Sequence, residues 1–319
     1  MLRIGLALSG GGFRATLYHL GVVRYLKDAN LLGAVSHITS VSGGSVLAAH
    51  LVLNWDRYNG SSDEFDEAAR EVVEFVRLDV RNRILRRYPF TLACTTLQRL
   101  TQQRPWREFT RTGLLESHYR KHLYGDTCLS QLPAQPELHI LSTNLSEGGL
   151  CSFSRSGLFV EERTKAGGIS MRCHRAGMVT IPMAVAASSA FPGFFPPVEL
   201  SAADLGAAEG EFQTQFFTDG GVYDNLGVRM FRYLERQQTS AIVAGDFADL
   251  NAAVAAWNQS AIAEQPSALR RVAEIYSSAL KGPDDGRRHT PVVSDSRSLI
   301  DRLQQVIDCT DLAADQQLK

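Results

Sequence analysis

At 319 residues, with 44% hydrophobic and 21% charged side chains and a formal net charge of -1, the chain has the composition of a globular protein with a sizeable core. That balance excludes a disordered chain and gives no global reason to expect nucleic acid as a partner, so none is assigned. The five cysteines (Cys94, Cys128, Cys151, Cys173, Cys309) are odd in number and form no C-x-x-C pair, which suggests neither a disulfide framework nor a zinc site.

Ile4 to Leu8 is a short apolar run that reads as a first strand and stops at Ser9-Gly10-Gly11-Gly12. It is too short for a signal peptide, and no stretch reaches the roughly 18 apolar residues of a membrane span. The expectation is a cytoplasmic protein that meets lipid peripherally, from the surface. Phe13 to Asp28 carry apolar residues at helical spacing, and His37 to Val41 form a second strand bounded by Ser42-Gly43-Gly44. Ser45 to Leu53 is an apolar helix, so strand, glycine turn and helix occur twice within the first 54 residues. Residues 55–135 change character and read as a helical insertion. Its first part is acidic, whereas residues 77–121 hold eleven Lys/Arg against Asp79, Glu108 and Glu116. Leu138 to Leu145 returns to strand, and Gly148-Gly149 turns it into a hairpin with Cys151 to Ser154. Thr180 is placed to cap a helix with Pro182 in its first turn, ending before Pro192-Gly193. Gln215 to Thr218 is a strand that ends at Asp219-Gly220-Gly221, and Ala241 to Ala244 another that ends at Gly245-Asp246. The remainder reads as helical around one polar loop, Lys281 to Thr290. The expected fold class is α/β, a single domain over residues 1–319 in which a mixed, mostly parallel sheet lies between helices. Within it 55–135 is the insertion and 250–319 a helical C-terminal part.

Three glycines between a strand and a helix set consecutive backbone N–H groups at a helix N-terminus, where an anion binds. Gly10-x-Gly12-x-x-Ala15 also fits a dinucleotide fingerprint, but that needs an acidic residue at the end of the second strand, which ends Thr39-Ser40-Val41-Ser42. Ser42 follows a strand and precedes two glycines and a helix, the setting of a nucleophile elbow, with Ser40 where G-x-S-x-G has its first glycine. Ser40 and Ser45 are the fallback nucleophiles. Asp219, at another strand end before two glycines, is placed to act as base, with Asp246 in reserve. His289 lies after Asp219 and keeps open a Ser-His-Asp triad, the arrangement of a soluble carboxylesterase. A non-catalytic lipid- or nucleotide-binding module is the other alternative.

Gly10-Gly11-Gly12-Phe13-Arg14-Ala15, the turn at Ser42 and Asp219-Gly220-Gly221 resemble the three signature blocks of the patatin-like phospholipases, and G-G-G-F-R-A also resembles the cytosolic phospholipase A group. Leu141 to Leu145 and Ala184 to Pro197 agree as well, so the resemblance spans most of residues 4–246. It departs at Ser40, and at Asp224-Asn225-Leu226-Gly227 where many relatives have Asp-Asn-x-Pro. The resemblance implies a lipid acyl hydrolase with a Ser42–Asp219 dyad, an acyl-enzyme, an oxyanion hole at Gly10, Gly11 and Gly12, and no metal or other cofactor. It implies a phospholipid or similar acyl ester as substrate. Arg14, one turn into the helix, is placed either to bind a substrate phosphate or to pin the loop. Tyr88, Phe90, Trp106, Phe109 and Tyr119 lie among the insertion's arginines, a composition suited to docking on anionic lipid or to covering the core. An insertion beside the site could also act as a lid. No activating partner is legible.

Overall fold

The computed structural model describes residues 3–80, 82–84, 86–87, 107–163 and 169–237. Arg3–Val243 form one compact unit and Ala244–Lys319 a second. The expected strand at 241–244, the helical part after 249, Asp246 and His289 lie outside the described residues, as does 88–106 of the insertion.

Both predicted strand–turn–helix units are present, as β1 (Ile4–Leu8) with α1 (Gly12–Asp28) and β2 (Val35–Val41) with α2 (Gly43–Leu53). The described part of the insertion is helical. Its main elements are α3 (Ser62–Arg77), whose Phe65, Ala68, Val72 and Phe75 are buried at helical spacing, and α4 (Arg111–Tyr119). Then come β3 (Glu137–Asn144), β4 (Gly149–Ser154), β5 (Gly157–Arg163) and β6 (Ile169–His174). The predicted helix is α5 (Ile181–Ser188), with the Thr180 hydroxyl accepting from the Met183 N–H as its cap. The described unit closes with β7 (Val198–Leu200), β8 (Gln215–Asp219) and α6 (Arg229–Gln237).

The sheet runs β1-β2-β3-β4-β5-β6, with β8 paired to β3 and to β7. β1, β2 and β3 are parallel and the other pairings are antiparallel, with tight turns joining β3 to β4 and β4 to β5. The architecture is therefore the expected mixed sheet flanked by helices. Side chains alternate across it. Val41 and Leu141 face α6, where Met230 and Leu234 cover them. Ser40 and Ser142 face the other way, the first hydrogen-bonded by Ser45 of α2 and the second reaching the Ala187 carbonyl of α5. α2 is buried from Gly43 to Val52, which accounts for a helix that is apolar on every side.

The register around β3 positions the site. Leu141 pairs with both Val41 and Ser152, and Ser142 with both Cys151 and Asp219. A strand has two edges, and β4 occupies one of them, so β2 and β8 meet head to head along the other. The residue after β2 is Ser42, and the residue that ends β8 is Asp219.

Candidate active site

Ser42 adopts φ 50° and ψ -118°, a conformation that costs a non-glycine residue roughly 1–3 kcal/mol and that surrounding structure must enforce. The constraint is visible. The Ser42 N–H donates to Ser188 Oγ at 2.9 Å, Ser188 Oγ donates to the Leu141 carbonyl at 2.6 Å, and Ser45 Oγ lies 2.9 Å from Ser188 Oγ. The fully buried Ser188 thus ties the elbow, the end of β3 and the first turn of α2 to one oxygen. The two glycines after Ser42 serve close approach, while the strain sits on the serine itself. A Cβ at Gly43 would lie 1.9 Å from the Gly12 carbonyl oxygen, and one at Gly44 2.2 Å from that of Leu8. Thr16 Oγ1 donates to the Gly43 carbonyl at 2.7 Å, locking α1 onto α2.

Asp219 is 3% exposed. Burial raises its carboxyl above the ordinary aspartate value, outweighing the Gly221 N–H and the polar influence of the nearby Ser42 hydroxyl, both of which lower it. The Gly221 contact is 2.7 Å. Its backbone is fixed from two sides, the N–H by the Ala190 carbonyl and the carbonyl by Thr143 Oγ1. Ser40 and Ser45, the fallback nucleophiles, are fully buried in the serine network behind the elbow.

The glycine loop divides its roles. The Gly10 N–H donates to the Asn225 carbonyl at 2.9 Å, and a Cβ there would lie 2.3 Å from Asn225 Oδ1. The Gly10 N–H, expected among the oxyanion donors, is thus engaged by the Asn225 carbonyl. Gly11 and Gly12 face the cavity beside Ser42, at the start of a helix that no side chain caps. Arg14 is exposed and is not among the described residues lining that cavity. His19, also on α1, is buried and pins the loop through the Ser9 carbonyl; burial lowers its pKa.

A cavity of about 660 Å³ opens over the pair, lined among others by Phe13, Val46, Leu115, Tyr119, Phe195 and Asn225. Val76, Asp79, Leu115 and Tyr119 come from the insertion, which forms one wall. No histidine is among the described lining residues, and no group of His, Cys, Asp or Glu among the described residues could hold a metal ion. At the mouth Phe191 and Val222 are more than half exposed. No described helix is long and apolar enough to cross a membrane. Ser188 and Asn225 are not singled out by the sequence as site residues, since each acts through a pairing distant in sequence; the Ala184 to Pro197 block and the Asp-Asn after the Asp219 turn are the signals that contain them.

The sequence profile of the patatin-like phospholipases matches residues 6–232, across both strand-end turns. The chain belongs to the patatin-like phospholipase family. Lipid hydrolysis is the activity class that this membership supports. No curated protein matches the chain. Among solved structures it is similar to human GIVD cytosolic phospholipase A2 (15% identity over 76% of this chain and 45% of that one, TM-score 0.43). It is similar also to the same enzyme in complex with methyl gamma-linolenyl fluorophosphonate inhibitor and terbium chloride (20%, 68% and 35%, TM-score 0.40). A third is VipD from Legionella pneumophila (15%, 70% and 47%, TM-score 0.34). The chain spans less than half the length of each.

Proposed function

We propose that this patatin-like protein is a phospholipase A-type acyl hydrolase that works through a Ser42–Asp219 dyad. Asp219 accepts the Ser42 proton as Oγ attacks the ester carbonyl, and the tetrahedral oxyanion is held by N–H groups of Gly11 and Gly12, joined by that of Gly43 after the nucleophile. Each such donor is worth roughly 3 kcal/mol in other hydrolases. Asp219 returns the proton to the departing alcohol, and water, activated by the same carboxylate, releases the fatty acid from the serine. The observation that carries this reading is a serine at strained φ and a buried carboxylate side by side on the wall of an apolar cavity.

An acyl chain suits that lining, and the exposed apolar residues at the mouth suit a lipid surface, so the protein is read as docking peripherally with Phe191 and Val222 toward the bilayer. Arg14, outside the cavity, is the side chain proposed to meet a head-group phosphate. The test is fatty acid release from phospholipid vesicles. Ser42→Ala and Asp219→Asn are each expected to lose activity by at least about 10²-fold, whereas Arg14→Ala should weaken phospholipid turnover and spare a neutral ester. Full activity in Asp219→Asn would refute the dyad.

A further inference from the structure

Three described non-glycine residues have φ in the left-handed region, and two of them, Ser42 and Asp79, line the same cavity. Strain of this kind gathers at functional positions. Asp79, at φ 50°, stands between α3 and a helical stretch that begins at Val80. Its Oδ2 accepts from Asn82 Nδ2 at 2.6 Å and its carbonyl from the Arg83 N–H at 3.1 Å, so it caps that stretch. The residue is nonetheless exposed on the cavity wall. A carboxylate has about four acceptor positions, so one hydrogen bond leaves it able to bind another group.

Among the described lining residues the charge of the cavity is one-sided. Asp79 and Asp219 are the charged side chains among its described lining residues, and neither Lys, Arg nor His accompanies them. Asp219 is buried and accepts from the Gly221 N–H, which leaves Asp79 as the accessible anion among the described lining residues. A net anionic head group entering here is repelled, whereas a head group ending in an ammonium gains an attraction.

Resting on the Ser42–Asp219 hydrolase reading, we propose that Asp79 sets head-group selectivity, favouring acyl esters with an ammonium-bearing, zwitterionic head group over net anionic ones. The test uses dihexanoyl phosphatidylcholine and dihexanoyl phosphatidylglycerol below their micellar concentrations, which removes any contribution from membrane docking. Asp79→Asn is the variant, because asparagine tolerates the left-handed backbone and can still accept from Asn82. Wild type should prefer the choline lipid in kcat/KM, less so as salt rises. The variant should lower that preference by about five- to tenfold. Labelling by a neutral alkyl fluorophosphonate should be the same in both. An unchanged choline-to-glycerol ratio alongside unchanged labelling overturns the selectivity role and leaves the hydrolase reading intact. A wild type that does not label overturns the hydrolase reading and this proposal with it.

Discussion

Asp219 couples chemistry to stability. Its carboxyl titrates above the ordinary aspartate value because it is buried, so the folded chain holds that proton more tightly than the unfolded chain does. The cost of ionising it is absent below the ordinary value and complete above the raised one, so the folded state loses stability as pH climbs through that window. Asp219→Asn, whose amide oxygen can still accept from Gly221, is expected to melt higher than wild type at pH 8. The gain should vanish near pH 3, and thermal scans across pH read it directly. Equal melting temperatures at pH 8 would mean the carboxylate is better solvated than its burial implies. In wild type the catalytic rate should rise with pH through the same raised value, since the base acts ionised. Ser188 falls in the Ala184 to Pro197 block but is not singled out by it, because a serine among alanines in an apolar helix carries no pattern of its own. Its importance comes from meeting Ser42, Ser45 and Leu141 at one atom.

At the level of elements, the glycine-bounded turns announced β1, β2 and β8 together with Ser42 and Asp219, because a strand that stops at small residues before a helix is a local pattern. β5 and β6 left no comparable trace. Glu161 and Glu162 end the apolar run of β5, and Glu161 is buried with its carboxylate accepting from Tyr223 and Tyr233 and from the Leu150 N–H, all from other parts of the chain. The loop glycines were legible as a group but not as individuals, since only the fold reveals that Gly10 abuts Asn225. The insertion announced itself by composition, and its helix α3 is held by local chemistry. Ser61 and Glu64 exchange hydrogen bonds as a capping box at its start, and Phe75 near its end meets Phe13 and Tyr119, both on the cavity wall. Ser61→Ala is expected to cost about 1 kcal/mol. Denaturant titration would register it as a lower midpoint with an unchanged slope, and no change in midpoint would show that packing alone holds the helix.

On the scale of the whole molecule, the proposed docking on lipid rests on the exposed apolar residues beside the cavity. Phe191 and Phe194 are 56% and 44% exposed, in a segment that follows α5. Replacing both with serine is expected to reduce hydrolysis of vesicle lipid several-fold while leaving a water-soluble monomeric ester unaffected. Parallel loss on both substrates would assign the pair to folding and not to docking. The sheet register has a wider consequence. Ser42 and Asp219 are brought together by Leu141 and Ser142, two neighbours on one strand, and are held there by Ser188, Ala190 and Thr143. The segment after α2 supplies none of these contacts, yet it contributes Val76, Asp79, Leu115 and Tyr119 to the wall of the cavity. A lineage with this scaffold can therefore trade one lipid for another by swapping the segment after α2, while inheriting the reaction unchanged.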